Sequence, residues 1–399
     1  MITEFIKKTL YFSGSVFVYS GVRHLIFLPM LSDHDLEAFR VVGQLLFVID
    51  IVFYTFAGAL SDYYVRLTKG GNNNIHLLEK LTKYSLLGLA STFFYLLYID
   101  DVFISAILGI YIVLSAMVAL NLKVFFNRLE FTINYRYIAF RLIPYGITML
   151  AVALNSSAAL WIFCTSLALS EYAFLRAIRK EVRTLEPVGT SISDVSSTRK
   201  AKWSSILGFI AVYSLIGFTQ RGDVALAEYF IGYTEIVKYV ALASVLNFFC
   251  NPIAVMTSSS LLAFLVNKRL DIRRTFFPSI ILILCVSSLI ALASAALFPT
   301  VMNFLYSAIT LDVSYGQVFF IVFSIVLYSI IRTFVIRFSG TTAIFCFNIL
   351  FFISILILWL NGVDGFIDFA VMYCALRALI YFLIYVYAYS VSVLSQLRS

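Results

Sequence analysis

Charge is scarce in this chain: only 13% of its 399 residues are Asp, Glu, Lys or Arg and 62% are hydrophobic, against about a quarter charged in an average soluble domain. Too few charges remain to cover a water-facing surface, which excludes an ordinary globular protein. Histidine is scarcer still. The three present, His24, His34 and His76, are scattered, and no carboxylate pair, nucleophile elbow or phosphate-cradling glycine loop accompanies them, so no catalytic constellation and no cofactor is implied. The five cysteines, Cys164, Cys250, Cys285, Cys346 and Cys374, lie in apolar runs without paired or metal-ligand spacing, which leaves packing as their role. Outside the stretch 179–203 the polar gaps are short, so no extracellular domain is expected.

What fills the chain is a series of about twelve apolar runs. A membrane-spanning helix needs roughly 20 predominantly apolar residues to cross a hydrocarbon core about 30 Å thick. The runs fall near 9–31, 38–62, 81–99, 102–121, 137–155, 157–175, 204–231, 236–265, 276–299, 315–336, 341–361 and 367–392. Most of the 29 Lys and Arg occupy every second gap between them, as with Arg66, Lys69, Lys80 and Lys83, or Lys268, Arg269, Arg273 and Arg274. The alternate gaps are acidic, with Asp33, Asp35 and Glu37, then Asp100 and Asp101, and later Asp364 and Asp368. Because Lys and Arg are retained on the cytoplasmic side, this alternation predicts both termini inside and an even number of crossings. Lys7 and Lys8 precede the first run as in a signal peptide, but no small-residue cleavage site follows, so a retained helix is expected. The net charge of +8 then belongs to cytoplasmic loops facing anionic lipid headgroups, not to a nucleic-acid surface.

The longest polar stretch, 179–203, holds Pro187, Gly189 and a Ser/Thr-rich segment ending at Arg199 and Lys200. It buries too little to order itself and reads as a cytoplasmic linker between a six-helix lobe at 1–178 and another at 204–399. Sliding the second lobe back by about 198 positions superposes Arg221 on Arg23, Glu235 on Glu37 and Lys238 on Arg40, with apolar residues around them. A parallel internal duplication of this kind is common in transporters. The expected fold is therefore all-α and membrane-integral, about twelve helices in two lobes related by a pseudo-two-fold axis along the membrane normal. Glu37 with Arg40, and Glu235 with Lys238, read as i,i+3 charge pairs at helix starts.

Arg23 and Arg221 sit well inside apolar runs, where an arginine costs at least ~2.5 kcal/mol unless it faces protein or water. Related by the pseudo-axis, they would form a positive patch in a cleft. Guanidinium binds phosphate oxygens bidentately and keeps its proton, so a pyrophosphate would suit the patch. His24 adds a donor. The alternative is that both arginines reach out to the headgroups, Arg221 pairing locally with Asp223. Other ionisable groups in the runs are Asp50, a candidate counter-ion or coupling site; Arg141; Arg377, deep enough to need a cavity or an acidic partner; and Glu171 and Arg332, which read as interfacial. Pro144 and Pro252 remove backbone donors and are expected to kink their helices. The 39 Phe and 25 Tyr read mostly as lipid-facing and interfacial material, with some Tyr free to line a sugar path.

The stretch from Arg221 through Gly222, Asp223, Tyr229, Gly232 and Glu235 to Lys238 and Tyr239, followed by an apolar helix and Asn251-Pro252, resembles helices 7 and 8 of the polysaccharide flippases. Leu28 to Arg40, with Pro29 and Asp33-His34-Asp35, is similar to that family's first inter-helix turn. With two six-helix lobes, the chain resembles the Wzx-type O-antigen or capsule repeat-unit flippases of the multidrug, oligosaccharidyl-lipid and polysaccharide exporter superfamily. It departs in having Ile231-Gly232-Tyr233 where Leu-Gly is commonest, and few other cations in the second and eighth runs. The resemblance implies a non-enzymatic carrier of undecaprenyl-pyrophosphate-linked oligosaccharide, working by alternating access in the bacterial cytoplasmic (inner) membrane. A polysaccharide polymerase and a chain-length regulator are implied as companions. It also implies a cationic cavity, with Arg23, His24, Arg221 and Arg377 on the pyrophosphate and Asp50 or Asp223 as coupling or counter-ion groups. Three other readings stand beside it: a membrane polysaccharide polymerase, which typically carries a large outward loop; a cation-coupled drug antiporter, which would rely on intramembrane carboxylates; and a non-transporting scaffold.

Overall fold

In hydrocarbon a long apolar run satisfies its backbone only as a helix or in a closed barrel, and the computed structural model of this protein is helical throughout, with no strand among the described residues. Those residues are 14–67, 75–97, 99, 101–127, 132–154, 158–184, 203–256, 272–307, 309–363 and 365–397. Over the described residues each of the twelve expected runs is helical. α1 is Gly14–His34; α2 is Leu36–Phe53 continued through a π-helical turn Tyr54–Gly58 into Ala59–Leu67; α3 is Ile75–Tyr84, a 3₁₀ stretch Ser85–Ala90 and Ser91–Leu96. α4 (Val102–Asn127), α5 (Ile133–Ala153) and α6 (Ala159–Thr184) follow. Trp203–Met256 runs as one helical stretch interrupted at Gly232, whose φ of 75° is left-handed and open to glycine without strain; the break separates α7 (203–231) from α8 (233–256). α9 (Ile272–Leu305), α10 (Tyr315–Phe338), α11 (Thr341–Asn361) and α12 (Phe366–Leu397) complete the chain.

Eight of these helices, α1, α2, α4, α7 and α9 to α12, are long and apolar enough to cross a membrane, and α3, α5, α6 and α8 occupy the other four expected positions. The fold is thus that of a multi-pass membrane protein. The linker beyond Thr184, the lysines Lys7 and Lys8, and the expected end of the eighth helix past Met256 lie outside the described residues, and the side chain of Pro252 is not described.

Local chemistry sets the helix starts. Asp35 Oδ1 accepts from the amides of Glu37 and Ala38 at 2.9 and 3.1 Å, capping α2. Asp101 does the same for α4 through Phe103 and Ile104, at 2.8 and 3.0 Å. Ser314 and Gln317 form a reciprocal capping box before α10, an arrangement that satisfies two orphan amides at once. The i,i+3 pairs expected from sequence are both present, Glu37–Arg40 and Glu235–Lys238, each at 2.7 Å.

The chain divides into two compact units that differ from the six-helix halves read from sequence. The first comprises Leu45–Phe218 and the described residues before Val16; the second comprises Val16–Gln44 and the described residues from Thr219 onward. Most of α1 and the first turns of α2 therefore pack with the C-terminal helices, and the start of α7 packs with the N-terminal ones.

In the first unit Leu60, Tyr64, Leu81, Ala116, Leu120, Phe174 and Ile206 share one core. α7 lies so close to α2 there that a Cβ on Gly217 would sit 2.9 Å from Ile51 O. Tyr213 OH and Lys123 Nζ both donate to the Asp62 carboxylate, the latter at 3.3 Å. Two groups read as interfacial prove otherwise. Glu171 is 1% exposed, accepts from Tyr137 OH at 3.0 Å and lies 3.6 Å from Arg141 Nε, while Arg141 Nη2 donates to Tyr111 OH at 2.6 Å. Arg332, in the second unit, is 5% exposed. The tyrosines also depart from a lipid-facing role: Tyr64, Tyr95, Tyr111, Tyr145, Tyr306, Tyr328, Tyr373, Tyr381 and Tyr385 are among the largest fully buried side chains. Conversely, Cys285 and Cys346 are exposed and do not pack in the core.

Candidate functional site: a buried arginine cluster

Arg23 and His24 lie in a π-helical turn of α1, Val22–Phe27. Leu28 N–H reaches back five residues to Arg23 O, and Pro29 just beyond has no amide to restore the ordinary pattern. π-turns widen a helix locally and recur at functional sites. Both side chains are buried, Arg23 at 3% and His24 at 1% exposure, and Tyr306 OH donates to His24 O at 3.2 Å. Arg221 of α7 lies with Arg23 inside electrostatic reach of the His24 imidazole. The second unit therefore gathers Arg23, His24 and Arg221, the pair from the sequence repeat and its neighbour, in one place.

Arg221 donates to Asn247 Oδ1 of α8, and Asn247 is itself anchored by its Nδ2 to Ala243 O at 2.6 Å. One residue back, Gln220 receives two further arginines. Arg332 of α10 donates to its side-chain Oε1, and Arg377 Nη1 of α12 donates to its backbone carbonyl at 2.7 Å. Arg377 lies 4.7 Å over the Tyr328 ring and 5.9 Å from that of Tyr373; Arg332 is 6.0 Å from Tyr328. Aromatic faces of this kind hold desolvated guanidiniums in place of water.

Against α7, α8, α10 and α12 of this unit lies a partly open cavity lined by Arg221, Asp223, Tyr239, Asn247, Tyr328 and Arg377 among others. Among the described residues Asp223 is the one carboxylate in its lining, and it accepts from Tyr239 OH at 3.0 Å. Arg221 and Arg377 thus line a space in which, among the described residues, Asp223 is the one negative charge, and Arg23 and Arg332 lie in the same unit, none of the four more than 9% exposed. Neutral acceptors such as Asn247 and Gln220 satisfy N–H groups but leave the charge. Such a site has a strong positive potential in a low-dielectric setting and attracts anions.

Of the residues singled out in the sequence, Arg221, Asp223 and Arg377 line the cavity, and Arg23 and His24 belong to the same unit. Asp50 belongs to the first unit: it lies in α2, half-buried, close enough to Tyr95 for their charges to interact. Gln220, Tyr239, Asn247 and Tyr328 escape the sequence reading, and Arg332 enters it only as an interfacial group. A signal exists for Gln220 and Asn247, each an amide inside an otherwise apolar run, and none for the two tyrosines among so many.

This helical arrangement is similar, over 97% of the chain, to solved transporter structures. A MATE protein in complex with MaL6 matches with a TM-score of 0.63 at 13% identity, covering 96% of that chain. A Pyrococcus furiosus transporter of the MOP superfamily, described by a reverse polarity of its binding pocket, matches with a TM-score of 0.60 at 14% identity and 96% coverage. An outward-facing multidrug resistance MATE transporter of the same superfamily gives 0.56 at 14% identity and 95% coverage. The chain has the MATE fold. Transporters of that fold have twelve transmembrane helices in two lobes. No protein-family model matches the sequence, and no curated protein does.

Proposed function

We propose that this protein is a transporter of an anionic lipid-linked substrate: a flippase carrying undecaprenyl-pyrophosphate-linked oligosaccharide from the cytoplasmic to the outer leaflet of a bacterial inner membrane, for O-antigen or capsule synthesis. The observation that carries the reading is a cavity lined by the buried Arg221 and Arg377 and, among its described residues, by one carboxylate, with Arg23 and Arg332 buried in the same unit. Buried arginine is costly in a membrane protein and is kept where a ligand or path needs it. Planar guanidiniums match diphosphate oxygens two at a time. Arg221 and Arg377, with Arg23 and His24, hold the pyrophosphate; Tyr239 and Tyr328 offer ring faces and hydroxyls to the first sugars. The protein forms and breaks no covalent bond. Its products pass to a polymerase and a chain-length regulator.

A cation-coupled drug antiporter is the second reading, favoured by the likeness to MATE structures. The positive cavity opposes it, since a cationic drug would meet Arg221 and Arg377. The polymerase reading has no support from the fold. The deciding experiment removes the protein from its host and follows lipid-linked oligosaccharide by sidedness. Single repeat units trapped on the cytoplasmic leaflet are expected, and restoration by the unsubstituted chain but not by Arg221→Ala or Arg377→Ala that reach the membrane. Single units delivered outside but never joined would point to a polymerase instead.

A further inference from the structure

Resting on the carrier reading, though not on the identity of the cargo, we infer that α1, α2 and α7 are hinged helices that bend at Gly14, Gly43 and Gly217 when the two units move. The chain passes between the compact units three times, from Ser15 to Val16, from Gln44 to Leu45 and from Phe218 to Thr219. Each passage falls inside a helix. In each, the last residue but one before the passage is a glycine: Gly14, Gly43 and Gly217. Glycine fills only 18 of the 399 positions, so composition alone would seldom put one at all three. It is also the weakest ordinary residue for a helix interior, because its backbone has the most freedom to lose.

Side chains fasten these helices to a different unit on either side of the passage. In α1, Ser15 Oγ accepts from Asn134 Nδ2 at 2.7 Å within the first unit. Two residues on, Phe17 packs on Phe248 within the second, ring centres 5.0 Å apart. In α7, Tyr213 donates to Asp62 and Gly217 is seated against Ile51 O, all in the first unit. Thr219 Oγ1 then donates to Asn348 Oδ1 at 2.7 Å in the second, and Gln220 and Arg221 continue with their bonds to α10, α12 and α8. In α2, Gly43 is seated on Val240 in the second unit, while Ile51, about two turns on, belongs to the first. A carrier that opens to one side and then the other moves its halves largely as rigid bodies. A helix fastened to both must bend between the fastenings, and a glycine there has no Cβ to obstruct the change in φ and ψ.

Close packing by itself also favours glycine at 43 and 217, but it predicts the opposite dynamics. A tightly seated turn is slow to exchange its amide hydrogens, whereas a hinge opens the hydrogen bonds that span it. The test is hydrogen exchange read by mass spectrometry on the full-length, unsubstituted chain in lipid discs. Amides 45–48 and 219–222 make the helical bonds that span the passages in α2 and α7. They are expected to be protected about tenfold less than the turns on either side, as for a local opening inside a stable element. Gly43→Ala combined with Val240→Ala, which gives the new methyl its room, is expected to slow exchange at 45–48 about fivefold, the gap between glycine and alanine in a helix. Protection at the passages equal to or above that of the flanking turns overturns the inference, and so does fast exchange that the alanine pair leaves unchanged. If the paired variant fails to fold, the comparison within the unsubstituted chain decides alone. The exchange rates involve no substrate, so they are read separately from the host experiment, in which normal delivery of repeat units without the protein would overturn the carrier reading.

Discussion

Arg377 Nη1 donates to the backbone carbonyl of Gln220 at 2.7 Å, so the main chain of α7 gives a deep cation on α12 a definite place, while Asp223 of the same cavity acts on it through charge. A neutral carbonyl positions the guanidinium without cancelling its charge.

Arg377→Lys tests the value of that geometry. Lysine retains the charge but offers a compact ammonium in place of a planar fork, and it stacks less well over Tyr328, now 4.7 Å from the guanidinium. Pyrophosphate binding is expected to weaken about tenfold, one lost charge-assisted hydrogen bond, with the melting temperature nearly unchanged. Equal affinity in the two proteins would remove Arg377 from the binding set.

Gln220→Glu is expected to separate stability from function. Its Oε1 already accepts from Arg332, and a carboxylate there would form a buried, hydrogen-bonded ion pair without changing shape. Hydrogen bonds to charged groups contribute about 1.5–3 kcal/mol, so thermal stability should be maintained or raised. Anion binding should fall, because one of the four positive charges is cancelled. A variant that binds pyrophosphate as tightly as before would show that Arg332 acts only in packing.

The twelve helices are legible because the demand for apolar runs leaves little choice, and the acidic caps Asp35 and Asp101 mark two starts directly. Arg23, Arg221 and Arg377 are legible because a charge inside such a run is an anomaly. Arg332 is not, since its place near the end of a run suits an interface equally well, whereas in the fold it donates to the Gln220 side chain and faces the Tyr328 ring. Nor is the burial of Tyr328 and Tyr373. Lipid-facing and core-facing surfaces of a membrane helix are similarly apolar, so the sequence does not say which tyrosines turn inward. The packing of α1 with the C-terminal helices is hidden for the same reason. It is written in small contacts, such as Gly21 against Phe248, where an added Cβ would come to 3.8 Å.

In the first unit Arg141 and Glu171 form the contrasting case, a buried pair with its own carboxylate, 16% and 1% exposed. Removing one partner of a buried pair typically costs 3–5 kcal/mol, because the other charge is left behind. Glu171→Gln and Arg141→Met are therefore each expected to lower the melting temperature by several degrees. The double substitution Arg141→Met with Glu171→Leu should recover most of the loss. If each single change is silent, the pair is not a structural element of this unit.

Among the described glycines of the second unit Gly43 of α2 makes the tightest approach: an added Cβ would lie 2.5 Å from Val240 Cγ1 on α8. Real Cβ atoms do not approach so closely, and a β-branched valine has few rotamers through which to withdraw. Gly43→Ala must therefore push the two helices apart, at about 1–3 kcal/mol for overpacking a tight core. Val240→Ala alone costs a similar amount by leaving a small cavity. Together the two should be less harmful than their sum, since the methyl added on α2 enters the space vacated on α8. Coupling of 0.5 kcal/mol or more is the size expected for residues in contact, and a double-mutant cycle on thermal unfolding would read it. Strict additivity would place the two helices farther apart than this packing requires.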